Sequence, residues 1–87
     1  MILHLGGDVA VPSDNIITIL NTDTINISDI EKKLNINALD IKYLCQDTAD
    51  CKSVIITMKG NRCIVYYSPI SSATLYKRGQ NENEDLI

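Results

Sequence analysis

Two pairs of cations are the residues of this chain best placed to do chemistry. Lys59 and Arg62 bracket Gly60-Asn61, and Lys77-Arg78 stand just before Gly79. Gly-Asn between two apolar runs predicts a two-residue β-turn, because Gly accepts the positive φ such a turn needs. That turn sets Lys59 directly opposite Arg62 on one face of a hairpin. Like charges so placed repel mildly. A phosphate bound between them would relieve the repulsion, and so would two long side chains splaying into solvent. Lys77 and Arg78 fall in the last turn of a predicted helix. There they either complement the helix dipole, worth about 0.3–1 kcal/mol, or touch a nucleic-acid backbone. Lys52 precedes the first hairpin arm and could join the other four in one basic patch.

Other chemistry finds little support. Cys45, Cys51, Cys63 and His4 are the candidate metal ligands, but they lack the paired spacing of structural zinc sites. The single histidine has no partner for nucleophilic or general acid–base work. It reads as a strand residue in preference to a pH switch. Gly6-Gly7 could present bare amides to a phosphate, yet Asp8 opposes an anion there and a tight turn between strands is the better reading. No catalytic residue, metal, cofactor or small-molecule substrate is expected.

The element that positions the central cations is Ser53–Ile70, SVIITMKGNRCIVYYSPI. With the turn at Gly60-Asn61, Met58 faces Cys63, Thr57 faces Ile64, Ile56 faces Val65, Ile55 faces Tyr66 and Val54 faces Tyr67. Opposed residues share a side of the sheet. Val54, Ile56, Met58, Cys63, Val65 and Tyr67 form one apolar face, read as the core. Ile55, Ile64, Tyr66 and Thr57 form a second face that is too apolar for open water. Another part of the chain or a second copy must cover it. A homo-oligomer interface through Ile55, Ile64 and Tyr66 is the expectation.

Earlier in the chain, Ile2–Leu5 and Val9–Val11 read as strands around the Gly6-Gly7-Asp8 turn. Pro12 closes the second. Ile16–Leu20 is almost continuously apolar and is expected to be a central strand covered on both faces. Ser28 and Glu31 fit a capping box, and Ile30, Leu34 and Ala38 share a face of the helix that would follow. That helix should end near Leu39-Asp40. Ile41–Cys45 reads as a short strand and Gln46–Cys51 as a polar loop. After Pro69, Ser71 or Ser72 can cap a short helix over Ala73–Arg78, with Gly79 as its C-terminal stop. Residues 80–87 are polar and acidic and read as a disordered tail.

Eighty-seven residues make one domain, expected over 1–79. Roughly 60% of the unfolded surface can be buried at this size, which makes added area from an oligomer useful. Residues 1–79 hold eight Lys/Arg and eight Asp/Glu, so the formal charge of −3 comes from Glu82, Glu84 and Asp85. A near-neutral body argues against strong non-specific nucleic-acid binding. There is no signal-peptide pattern and no apolar run of the ~18 residues that a membrane helix needs. Three cysteines without CxxC fit a reducing cytoplasm and free, partly buried thiols.

HLGGDVAVPSDNIITIL near the start, with SVII and IVYYSPISSATLYKR further on, resembles the extracellular matrix regulatory protein family of spore-forming bacteria, RemA and RemB. The resemblance covers about half the chain and is closer to the RemB branch, through HLGGD and the YYSP…TL…KR run. It implies a small cytoplasmic protein that is not an enzyme. The RemA branch looks like a ring-forming transcriptional activator carrying DNA and controlling biofilm matrix operons. That branch has a basic residue just ahead of its IIT-type strand, where this chain has Asn15. It also has an adjacent Arg pair before its VII strand, where this chain has Ala49 and Asp50, with Lys52 close by.

Residues and resemblance together give an α+β domain. It has a small, twisted, mainly antiparallel sheet with a central hairpin, one mid-sequence helix and a short C-terminal helix. The expected partners are further copies of itself, possibly as a ring, and duplex DNA met by Asn15, Lys52, Lys59, Arg62, Lys77 and Arg78. No membrane partner is expected. The alternative is an oligomeric scaffold or adaptor of the same fold that has lost DNA binding and works through protein partners.

Overall fold

The structure is a computed structural model that describes residues 2–23, 29, 32 and 39–85. The chain forms a mostly-sheet α+β fold with a helix at the C-terminal end. β1 (Ile2–Gly6) and β2 (Val9–Pro12) pair antiparallel as a two-stranded sheet. A 3-10 turn over Ser13–Asn15 leads into β3 (Ile16–Asn21). β4 (Leu39–Tyr43), a 3-10 turn at Thr48–Asp50, β5 (Ser53–Lys59), β6 (Arg62–Ser68) and α1 (Ser72–Asp85) follow. The second sheet has the order β3-β5-β6-β4. The helix read from the Ser28–Glu31 capping box falls almost wholly outside the described residues.

β5 and β6 pair antiparallel across Gly60-Asn61, with Val54 opposite Tyr67, Ile55 opposite Tyr66 and Lys59 opposite Arg62. Gly60 takes φ 60°, the left-handed value that lets so short a turn close. Alternation along the two strands divides the core into two layers. Ile55 and Tyr66 join Leu3, Leu5, Val11, Ile19 and Leu75 on one face. Val54, Ile56, Val65 and Tyr67 join Cys51 on the other.

The first layer corrects the expected interface. The β1–β2 sheet and α1 cover this face from within the chain, leaving Ile55 0% and Tyr66 6% exposed, with Ile64 half-buried. Ile55 and Tyr66 have no surface to offer a second copy. The apolar excess that suggested a partner is met instead by Leu3, Leu5, Val11 and Leu75.

β3 is also corrected. It lies at the sheet edge, paired to β5 alone, and Ile17 is 59% exposed. The register shifts between Ile16 and Thr18, so Ile17 is the extra residue of an irregular pair. Ile16 and Ile19 therefore both pack on the first layer, while Leu20 packs on the second. A bulge, and not burial of every residue, accounts for the nearly continuous apolar run. At the opposite edge β4 runs parallel to β6.

A buried hydroxyl joins the two sheets. Ser68 Oγ, on a fully buried residue, donates to Leu5 O of β1 and accepts from Ile70 N at 3.0 Å. Ser53 Oγ donates to Ile70 O at 2.7 Å. Together they fix the corner from which α1 starts. Ser71 is the cap, accepting from Thr74 N at 3.2 Å. α1 then continues through Gly79 to Asp85, past the stop and into the stretch read as a disordered tail. Gly79 does not take the positive φ of Gly6, Gly7 and Gly60. In a helix interior Gly costs about 1 kcal/mol relative to Ala, which weakens a helix without ending it.

Candidate nucleic-acid interface

The six cationic and polar candidates do not converge. Lys59 and Arg62 stand at the tip of the β5–β6 hairpin, both exposed. Asn15 is brought to the same end, because the neighbouring Ile16 pairs with Thr57, two residues from Lys59. Lys52 lies beyond the other end of β5. Lys59 is seven residues further along the chain, roughly 23 Å at the usual rise per residue. Lys77 and Arg78 sit on α1, which packs against β1 and β3. Arg78 Nη1 donates to His4 O at 3.4 Å. Lys52 and the hairpin tip thus stand at opposite ends of β5, while Lys77 and Arg78 are carried by α1.

The tip has a partner that sequence reading missed. Arg62 Nε is ion-paired with Asp40 of β4, with the two side chains 72% and 42% exposed. Asp40 pairs with Ile64 in the parallel ladder, and Ile64 shares a face with Arg62, two residues away. This anion answers part of the repulsion between Lys59 and Arg62. No signal in the sequence pointed to it, since β4 reaches its place by a parallel crossover and not by a turn of readable geometry. An exposed pair of this kind contributes about 0–1 kcal/mol, so it neutralises the tip more than it holds the fold.

The cysteines differ from expectation. Cys45 and Cys51 are joined by a disulfide, with Cα atoms 5.8 Å apart, and Cys63 is a free thiol. The sheet brings the pair together: Leu44 N donates to Tyr67 O and Lys52 N to Ser68 O, each at 2.8 Å, on adjacent residues of β6. His4 lies on β1 in the other sheet and is exposed. Gly7 and Asp8 form the β1–β2 turn, Gly6 ends β1, and a Cβ on Gly6 would meet the Pro69 ring at 3.4 Å. Among the described residues no helix is long and apolar enough to cross a membrane.

Two small sheets with a C-terminal helix packed on them make up this α+β domain, and its sequence places it in the RemA-like family. The chain belongs to that family: its sequence model, extracellular matrix regulatory protein A-like, matches residues 2–78. Extracellular matrix regulatory protein B of Bacillus subtilis (strain 168) is 32% identical over 80 residues, covering 92% of this chain and 91% of that protein.

Proposed function

We propose that this chain is a non-enzymatic, cytoplasmic regulator of extracellular-matrix gene expression that binds duplex DNA as a homo-oligomer. The observation that carries the reading is its likeness, over nearly its whole length, to a protein named as an extracellular matrix regulator. Lys59, Arg62 and Asn15 form the contact at the hairpin tip. Lys77, Arg78 and Lys52 add phosphate contacts elsewhere on each subunit. One subunit binds weakly because its body is near neutral, and repetition around an oligomer multiplies modest contacts along the duplex. Copies meet through exposed apolar side chains such as Ile17 on the β3 edge, since Ile55 and Tyr66 are enclosed.

The test is the double variant Lys59→Gln/Arg62→Gln, with DNA binding read by fluorescence anisotropy and mass by light scattering. Loss of binding with the oligomer intact supports the reading. Unchanged binding removes the hairpin tip from the interface.

A second reading is favoured by the Asp40–Arg62 pair and by Ala49 and Asp50 in an exposed loop. In it the oligomer is a scaffold that contacts a protein partner and leaves DNA alone. No DNA binding by a well-formed oligomer at low salt would select it.

A further inference from the structure

We propose that Cys45 and Cys51 are a reversible dithiol–disulfide pair whose oxidation state orders the acidic loop between them and leaves the sheet unchanged. The argument rests on what holds the two residues. Leu44 and Lys52, just outside the pair, are each fixed by a backbone hydrogen bond to neighbouring residues of β6. Thr22 adds two more bonds at the same place, from Oγ1 to Cys51 O at 2.9 Å and from N to Lys52 O at 3.2 Å. Both ends of the loop are therefore anchored without help from sulfur, and the thiols stay adjacent when reduced. What lies between is lightly held. Gln46, Asp47, Ala49 and Asp50 are exposed. The bonds of this loop are local: Ala49 N to Asp47 Oδ1 at 3.2 Å and Asp50 N to Asp47 O at 2.9 Å. A disulfide between the anchored ends adds a short cross-link that restricts the conformations of the residues between them.

Access assigns the two sulfurs different parts. Cys45 is half-buried, whereas Cys51 is only 5% exposed. A hydroperoxide oxidises Cys45 first: the Cys45 thiolate takes the terminal oxygen, an alcohol leaves, and Cys45 becomes a sulfenic acid. The Cys51 sulfur then attacks the Cys45 sulfur, the S–S bond forms and water leaves. In sum two thiols and one hydroperoxide give a disulfide, an alcohol and water. A small dithiol reverses this by attacking Cys45, expelling the Cys51 thiolate and closing its own disulfide.

The experiment treats the full chain with hydroperoxide, alkylates free thiols and maps peptides by mass. Hydrogen exchange is then compared before and after dithiothreitol. The expected product has Cys45 joined to Cys51 within one chain and Cys63 alkylated, and dithiothreitol returns both thiols. Reduction should speed exchange at the Ala49 and Asp50 amides by roughly tenfold and leave the Leu44 and Lys52 amides protected. Cys51→Ser should stop at a Cys45 sulfenic acid that dimedone traps, and Cys45→Ser should give no trapped Cys51. The proposal is overturned if the peroxide-treated thiols all alkylate alike or pair only between chains. It is equally overturned if reduction leaves the loop amides unchanged or strips protection from Leu44 and Lys52, the latter marking a structural clamp.

Discussion

Replacing Ser68 with Ala should loosen the joint between the two sheets. Its hydroxyl is fully buried and serves two partners, Leu5 O as donor and Ile70 N as acceptor. Ala fills nearly the same space, so packing changes little, and the cost comes from polar groups left without a partner. A buried group stranded in this way costs about 1–3 kcal/mol. Leu5 is fully buried, so its carbonyl has poor access to replacement water, while Ile70 is half-buried and recovers part of its loss. About 2 kcal/mol is therefore expected for the pair. For a domain of this size each kcal/mol moves the midpoint by about 4–8 °C, so the melting temperature should fall by about 8–16 °C. Thermal unfolding followed by far-UV circular dichroism measures it, with Ser71→Ala as a comparison that loses an exposed helix cap worth about 1 kcal/mol. A fall at Ser68→Ala smaller than that at Ser71→Ala would refute the reasoning and mean that the β1 carbonyl does not depend on Ser68.

Two further changes probe the helix and the hairpin tip. Leu75 is fully buried between α1 and the first core layer. Leu75→Ala should cost about 2–5 kcal/mol in chemical denaturation, and a loss below about 1 kcal/mol would mean that α1 is not docked as described. Asp40→Asn releases Arg62 from its ion pair. It should change stability by no more than about 1 kcal/mol and steepen the salt dependence of DNA binding by about 0.9 in log–log slope for each subunit that gains a phosphate. An unchanged slope would show that Arg62 does not reach the duplex.

The hairpin was legible because one turn, Gly60-Asn61, sets the register of every residue from Val54 to Tyr67, and period-two alternation then sorts the faces. What covers each face was not legible. Ile55 and Tyr66 suggested a partner because nothing in the local pattern says that Leu3, Leu5 and Leu75 fold back over them. Ile16–Leu20 misled for a related reason: a bulge at Ile17 places apolar residues on successive positions without making the strand central. Asp40 was invisible as a site residue because it arrives beside Arg62 through a parallel pairing. The Cys45–Cys51 pair was equally hidden, since six residues of separation carry no meaning until Leu44 and Lys52 are tied to adjacent positions of β6. Long-range pairing decides that Arg62 is neutralised and that Lys52 lies apart from the hairpin tip.

Under the proposed function, this family member works on DNA as an oligomer of individually weak subunits. Duplex-DNA binding, titrated against salt on a sample of known mass from light scattering, tests it most directly. The expected result is an oligomer that binds saturably, with a log–log salt slope steeper than one subunit's few cations can give. A well-formed oligomer that fails to bind at low salt, or a monomer that binds with the full slope, would contradict it.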